Sequence, residues 1–267
     1  SAICLTLCSA LALAADSDGD GISDAIEASK GADPLSKYAV SAGDHHNCAL
    51  DDTGIICWGA NGDGQSEVPE SLSDVTAVSS GNRHTCALHD AGISCWGFNF
   101  AGETEVPDSL SNPTLIATGE MTSCALDDFG VTCWGRNSDG QNNVPELIDP
   151  SSVDTAGAHV CAVDLGGVIC WGWNPYGQVD VPGSLSEVWA IELGTRHSCA
   201  VGAGGVVCWG SNERGQTEVP AGLLNPRAVT AGGYHTCALD DNGVICWGDD
   251  SDGQVSVPGL SNPVAIS

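Results

Sequence analysis

The stretch His235–Gly248, HTCALDDNGVICWG, holds two cysteines nine positions apart, with a histidine two places before the first and a tryptophan directly after the second. Near-copies occur five more times. The first cysteine of each pair falls at Cys48, Cys86, Cys124, Cys161, Cys199 and Cys237, and the second at Cys57, Cys95, Cys133, Cys170, Cys208 and Cys246. Successive first cysteines are 38, 38, 37, 38 and 38 residues apart. A fixed period of this length marks a repeat architecture, in which each unit buries its apolar face against its neighbours.

After Trp-Gly comes a loop such as Asn61-Gly-Asp-Gly-Gln65, then Val-Pro, then a short apolar run such as VTAVSSG. In the last copy, turn residues separate AVTAG, HTCAL, GVICWG and the region around VSVP, which predicts four strands, A to D. Four short strands per repeat suit a propeller blade. Pro258 removes a ladder donor, so strand D should lie at an edge or end there. The expected fold is therefore all-β: a β-propeller of roughly 38-residue, four-stranded repeats. Six repeats are present and VAIS, Val264–Ser267, aligns with the start of a seventh, either cut short or closing the ring. A β-solenoid is the alternative, but its repeats are usually shorter.

Between strands B and C a glycine recurs at 54, 92, 130, 167, 205 and 243, where a tight hairpin needs φ > 0. If Leu239 pairs with Val244, Cys237 lies opposite Cys246, where a disulfide can form; a bulged three-residue turn would spoil this register. Three chemistries compete for the pair. A Cys₂His zinc site would use His235, but the third copy has Thr122 in that column and keeps both cysteines. Redox pairs are normally closer in sequence. A structural disulfide fits all six copies and is favoured. Histidines 46, 84, 159, 197 and 235 read as strand residues bonding to neighbouring backbone, and the tryptophan of each copy as packing between repeats.

Residues 1–15 hold an apolar run, Ile3–Ala15, too short to span a bilayer, with Ala12-Leu13-Ala14 as an A-x-A cleavage signal. This reads as the remnant of a secretory signal, so the mature chain should be secreted or on the cell surface, without a membrane span. Residues 16–37 form a second unit, and 38–267 the repeats. DSDGDGISDAIE, Asp16–Glu27, matches a twelve-residue calcium loop: Asp16, Asp18 and Asp20 at places 1, 3 and 5, Gly21 at the turn, the Ile22 carbonyl at 7, Asp24 at 9 and Glu27 at 12. With the following EASKGADPLSK it resembles the thrombospondin type 3-like and dockerin-like calcium repeats of secreted proteins. That resemblance implies calcium as the cofactor of a short N-terminal appendage.

The repeats, on motifs such as AGGYHTCALDDNGVICWGDDSDGQ, resemble the regulator-of-chromosome-condensation repeat family in a secreted, cysteine-rich bacterial form. The resemblance implies a propeller, typically seven-bladed, used for recognition. Relatives include a nuclear exchange factor that also binds chromatin and secreted inhibitors of β-lactamase. The nuclear role does not transfer to this chain. With 35 acidic and 7 basic residues in 267, its net charge of −28 repels phosphate backbones and excludes non-specific nucleic-acid binding.

In an antiparallel meander the A–B and C–D loops share one end and the B–C tips the other. Two columns at the first end vary between copies: His45, Arg83, Met121, Ala158, Arg196, Tyr234 before the histidine column, and Ala60, Phe98, Arg136, Trp173, Ser211, Asp249 after Trp-Gly. Four of the five arginines in the repeats, Arg83, Arg136, Arg196 and Arg214, belong to these loops, as do Phe98, Phe100, Trp173, Tyr176 and Tyr234. Arginines and aromatics are favoured as interface anchors. The opposite tips carry turn-forming aspartates, such as Asp127, Asp128, Asp240 and Asp241. The expected function is non-enzymatic extracellular binding of a protein or glycan at the A–B/C–D end. A structural or adhesive surface role and a polysaccharide-acting enzyme are the alternatives, although no nucleophile elbow or catalytic metal triad stands in the sequence.

Overall fold

The computed structural model describes residues 39–51, 54–165, 167–263 and 265–267. The leader and the calcium loop with its six ligands, Asp16 to Glu27, lie outside the described residues. Eighteen strands form among the described residues, three to each repeat. The first three repeats hold β1 (Ala39–Ala42), β2 (His46–Asp51), β3 (Gly54–Gly59); β4 (Val75–Ser80), β5 (His84–His89), β6 (Gly92–Gly97); and β7 (Leu115–Thr118), β8 (Thr122–Asp127), β9 (Gly130–Gly135). The last three hold β10 (Ser152–Ala156), β11 (His159–Asp164), β12 (Gly167–Gly172); β13 (Val188–Leu193), β14 (His197–Gly202), β15 (Gly205–Gly210); and β16 (Ala228–Ala231), β17 (His235–Asp240), β18 (Gly243–Gly248). Each triplet is one antiparallel sheet with the middle strand second in sequence.

The four-stranded repeat expected from sequence becomes a three-stranded one: no described strand D accompanies the Val-Pro segment. Turns occupy its place. The Gly64 carbonyl accepts the Glu67 N–H at 3.0 Å and the Pro69 carbonyl accepts the Leu72 N–H at 3.2 Å. Backbone folded into turns, with a proline that has no N–H, leaves little to extend a ladder.

The second and third strands meet in the register that brings the cysteines together. In the last repeat Leu239 pairs with Val244 and Asp240 with Gly243, leaving Asp241 and Asn242 as a two-residue loop. Gly243 takes φ +121°, a conformation L side chains rarely adopt, so the hairpin needs the glycine. Cys237 then lies opposite Cys246. All six pairs occupy this position and form disulfides, with Cα–Cα separations of 4.0 or 4.1 Å. The zinc and redox readings of the pair are thereby set aside. Six disulfides fit an oxidising, extracellular location. No helix of the described residues is long and apolar enough to cross a membrane.

The apolar core is distributed between sheets. One cluster joins Cys161 and Val163 of the fourth repeat to Ile191, Leu193, Ala200 and Trp209 of the fifth. Another joins Leu50 of the first to Val75, Ala87 and Trp96 of the second. Such cores stabilise each repeat only through its neighbour. The tryptophan column shows this directly: Trp96, Trp134, Trp171, Trp209 and Trp247 are 6–9% exposed, and Trp58 of the first repeat, which has no repeat before it among the described residues, is 49% exposed.

The first strands touch in sequence, β1 to β4, β4 to β7, β7 to β10, β10 to β13 and β13 to β16, and wall a central channel of about 1120 Å³. A recurring contact holds successive walls. Ser41 Oγ accepts the Ser80 N–H, Ser79 Oγ the Thr118 N–H and Asp154 Oδ2 the Leu193 N–H, at 2.8, 3.0 and 2.7 Å. Ser267 Oγ accepts the Ala42 N–H at 3.2 Å, so the last residues stand to β1 as one first strand stands to the next.

Candidate binding face and central channel

The loop motif after Trp-Gly folds on itself through side chains. Asn61 Oδ1 accepts the Ser66 N–H at 3.1 Å and Gln65 Oε1 accepts the Asp63 N–H at 3.0 Å. The same two bonds recur around Asn174 and Gln178 and around Asn212 and Gln216. The rigid loop turns its Gln65 carbonyl toward the next repeat, where it accepts both Trp96 Nε1–H and Thr85 Oγ1–H, at 3.0 and 2.9 Å. The Asn and Gln of the motif therefore hold an inter-repeat acceptor in place.

The histidines extend this network and do not bond to neighbouring backbone through Nε2, as expected from sequence. His46, His84, His159 and His197 reach the hydroxyls of Thr85, Ser123, Ser198 and Thr236 in the following repeat, at 2.6, 2.9, 3.0 and 2.9 Å. Burial makes the imidazolium costly and holds His84 and His197 near pKa 4 and His159 near 3. These rings are neutral scaffold.

The two variable columns are joined one to one. Phe98 N–H donates to the Arg83 carbonyl at 2.9 Å, Arg136 to Met121 at 2.8 Å, Trp173 to Ala158 at 2.9 Å, Ser211 to Arg196 at 2.9 Å and Asp249 to Tyr234 at 2.9 Å. Each repeat thus presents one fixed pair of side chains at the same end. Eight of the nine candidate residues pack or pair in two groups. In the first, the Arg83 guanidinium lies 4.5 Å from the Phe98 ring centroid and bonds Asp63, while Phe98 stacks on Phe100 at 6.3 Å. In the second, Arg196 lies 5.0 Å from the Tyr176 ring and 5.7 Å from Tyr234, and Trp173 meets Tyr176 edge-on at 5.4 Å. Arg214 adjoins this group through Asp249, at 4.0 Å. Arg136 stands apart, with Ser138 and Asp139.

The aspartates at the opposite end are structural, as their turn chemistry suggests. Asp127 caps Ser111 and Phe129 N–H groups, and Asp240 those of Leu224 and Asn242. Among the described residues no three His, Cys, Asp or Glu side chains are placed to hold a metal ion.

The channel opens among the variable loops, with His45, Glu120, Trp173 and Arg196 at its rim. Its wall includes a column opposite the first cysteines: Ser41, Ser79, Ala117, Asp154, Glu192 and Thr230. Asp154 and Glu192 were missed in the sequence reading. Their signal was present, since they are the only charged residues in the six first strands, in SVDTA and VWAIEL. Burial raises the Asp154 pKa to about 6, against the lowering effect of the Leu193 and Thr155 N–H bonds. Burial, then the Asp154 charge, raises Glu192 well above the usual carboxylate range.

Residues 38–65, 75–103, 190–216 and 227–254 match the regulator of chromosome condensation (RCC1) repeat, and residues 16–37 match the bacterial TSP3 repeat. The fold resembles the ectodomain of the receptor kinase CR4 from Physcomitrella patens, with a TM-score of 0.69 and 22% identity over 85% of this chain and 68% of that one. It also resembles Prp20p from Saccharomyces cerevisiae, with a TM-score of 0.67 and 17% identity over 79% of this chain and 71% of the other. For the CRINKLY WD40 ectodomain of the Arabidopsis thaliana receptor kinase ACR4 the TM-score is 0.62 and the identity 27%, over 78% of each chain. No curated protein matches the chain. Four of the six stapled repeats of this propeller-like array thus match the regulator of chromosome condensation repeat, and the segment ahead of them matches a bacterial TSP3 repeat.

Proposed function

We propose that this chain is a non-enzymatic extracellular recognition module that binds a partner protein or glycan at the A–B/C–D loop end, with calcium ordering the N-terminal repeat at Asp16–Glu27. The observation that carries the reading is the Trp173–Tyr176–Arg196–Tyr234 group. It draws side chains from three successive repeats into one patch on a frame whose backbone is the same in each. Aromatic rings and an arginine held in a fixed geometry lose little freedom on binding, which is what interface anchors require. The ion pairs around the arginines are exposed and contribute orientation more than energy.

The test is capture of partners from the native extracellular medium by the intact chain. A Trp173→Ala/Tyr176→Ala/Arg196→Ala/Tyr234→Ala variant should lose capture, and a variant altered at Asp128 and Asp241 on the opposite tips should keep it. Equal capture by all three proteins would overturn the assignment. Chelation of calcium should lower the thermal midpoint only of the N-terminal repeat.

A second reading, a structural or adhesive surface protein, draws support from the likeness to the ACR4 ectodomain, a cell-surface receptor region.

A further inference from the structure

We propose that the open side between the sixth and first repeats is a docking slot for a disulfide-stapled β-hairpin of a partner polypeptide, one with Ser or Thr directly before its first cysteine and Trp directly after its second. This surface is separate from the loop end, and the recognition reading does not depend on it.

The internal interfaces show what such a slot takes. Each joins two unlike faces. The trailing face of a repeat carries the first cysteine, the loop carbonyl and, in all but the third repeat, the histidine. The leading face of the next repeat carries the tryptophan and, in all but the fourth, a hydroxyl. Thus His84 and the Glu103 carbonyl meet Ser123 and Trp134. Between the third and fourth repeats Thr122 stands in the histidine column and Val160 in the hydroxyl column. Histidine and hydroxyl are lost together, so they act as one matched pair.

Two faces are left over, and they are complementary. On the first repeat Val40, Asn47, Ile56 and Trp58 share the leading face. Val40 is 62% exposed, whereas Ile116, Val153, Ile191 and Val229 in its column are 3–8% exposed. Among the described residues neither the Trp58 indole N–H nor the Asn47 side-chain amide has a hydrogen-bond partner. On the sixth repeat, His235 Nε2 and the Gln254 carbonyl lack the hydroxyl and the indole that His197 Nε2 and the Gln216 carbonyl bond. The channel marks the same opening. Of the six middle strands only β17 lines it, through His235 and Cys237.

Ser267 sets the register of the occupant. Its Oγ accepts the Ala42 N–H as Ser41 Oγ accepts the Ser80 N–H, so it stands where a first strand stands. In every repeat the residue of that column lies opposite the first cysteine, as Ser79 lies opposite Cys86. A hairpin entering the slot can therefore add to this strand by main-chain hydrogen bonds with its first cysteine opposite Ser267. Its Ser or Thr would then accept from His235, its Trp would donate to the Gln254 carbonyl, and the Asn47 carbonyl would accept from a histidine on its other face. The slot needs a hairpin with both faces free. Every described hairpin of this chain has at least one face engaged by a neighbour, which disfavours a second copy as the occupant.

The test is titration of the intact, nitrogen-15-labelled 267-residue chain with an unlabelled, oxidised synthetic hairpin that has the sequence of residues 84–97, HTCALHDAGISCWG, read by NMR. Saturable one-to-one binding is expected, with shifts at the Trp58 indole N–H and the Asn47 side-chain amide. Trp58→Ala, at a half-exposed position, should keep the unfolding transition and bind about tenfold more weakly, as loss of an interface anchor does. A peptide carrying Thr85→Val offers His235 no hydroxyl and should bind about fivefold more weakly, the worth of one hydrogen bond. The chain variant His235→Thr copies the Thr122–Val160 pairing and should abolish or reverse that preference. Binding that leaves the Trp58 indole unshifted, or equal affinity of the wild-type chain for the two peptides, would overturn the proposal. So would self-association of the chain alone that shifts the same indole, since the occupant would then be a second copy. For a peptide too short to hold its own fold, residues 80–103 are joined directly after Ser267, which raises the effective concentration of the hairpin. No shift of the Trp58 indole in either form overturns the slot, and a shift in the joined form alone overturns the separate partner.

Discussion

His84 Nε2 lies 2.9 Å from the hydroxyl of Ser123 in the next repeat, and that hydroxyl donates onward to the Glu103 carbonyl at 2.8 Å. Because the hydroxyl hydrogen is committed to the carbonyl, the serine must accept from the imidazole, which fixes the proton on Nε2. Nδ1 is left buried without a partner, packed against Gly81. The same relay from Nε2 through a hydroxyl to a loop carbonyl recurs at His159 and His197, and His197 Nδ1 is likewise buried without a partner. A repeat interface is thus held by a neutral ring that has no acceptor for a second proton.

Acid should therefore loosen the array. The folded pKa of these rings lies near 3 or 4, below the unfolded value of 6.5. Between those values the unfolded chain binds more protons, so their contribution is complete above pH 6.5 and is lost as pH falls toward 4, on the order of a few kcal/mol per ring. The thermal midpoint is expected to drop across that window. His84→Gln, which can still donate to Ser123, should show a shallower drop than wild type; an identical pH profile would count against the account.

The channel carboxyls act with the opposite sign. Their folded pKa is raised, Asp154 to about 6 and Glu192 further, so the folded state holds protons that the unfolded chain has released. Stability from this pair is present below about pH 4 and is lost as pH rises through 6 and beyond. Glu192→Gln should raise the thermal midpoint at pH 8 more than at pH 5. A variant equally stabilised at both would show that the pair is not coupled to folding.

Much of this was legible in the sequence, and the misses have physical causes. The cysteine spacing and the recurring glycine specified the hairpin register, because only one turn length places Cys237 opposite Cys246. The variable columns were visible as columns, and the bonds between Phe98 and Arg83 or Trp173 and Ala158 follow from that hairpin. The partner of each histidine was not legible, because it lies 39 residues away and depends on how twisted sheets stack. The Asn-x-x-Gly-Gln loop read as a turn, but its use as an acceptor for the next tryptophan depends on the same stacking. The fourth strand was overread: apolar residues beside proline in VSVP satisfy strand composition and still fold as turns.

Gly194 tests how closely successive sheets approach. A Cβ there would stand 2.3 Å from the Gly232 carbonyl and 2.3 Å from His197 Cε1. Neither the neighbouring backbone nor a ring bonded to Thr236 can give way cheaply. Gly194→Ala should cost about 3 kcal/mol or more, as overpacking that moves backbone does, whereas Gly62→Ala, with nothing within 4 Å, should change stability by less than about 0.5 kcal/mol. Urea unfolding of both variants measures the difference, and equal costs would contradict the packing described for the fifth and sixth repeats.

The tryptophan column gives an internal control. Trp134 Nε1–H donates to the Glu103 carbonyl at 3.0 Å, whereas Trp58 is half exposed. Trp134→Phe keeps most of the packing and the Ser123 bond to the same carbonyl, so it should cost about 1 kcal/mol for the lost hydrogen bond. Trp58→Phe should cost much less. The Trp58 indole should also be quenched by iodide while the five buried indoles are protected. Trp189 is 53% exposed and Trp173 partly so, and both add to the quenched signal, so the accessible fraction in a Stern–Volmer plot should fall in Trp58→Phe and stay unchanged in Trp134→Phe; no difference between the two variants would sink the assignment.

The disulfides are expected to stabilise locally and by similar amounts. Each closes the same short loop, with the cysteines nine positions apart, across one hairpin. Loop entropy assigns about 2–3 kcal/mol to a loop of this size. Cys124→Ser/Cys133→Ser should lower stability by up to that amount. Because Cys124 is fully buried in the core shared by the third and fourth repeats, the loss should spread to both. Cys48→Ser/Cys57→Ser, in the first repeat, has one described neighbour to disturb and should cost less at the same loop length. Hydrogen exchange resolved by repeat would read the spread: faster exchange in the third and fourth repeats for the first variant, and in the first and second for the other. Intact mass after alkylation without reductant should show all twelve repeat cysteines blocked in secreted material, and twelve alkylated thiols would refute the staples.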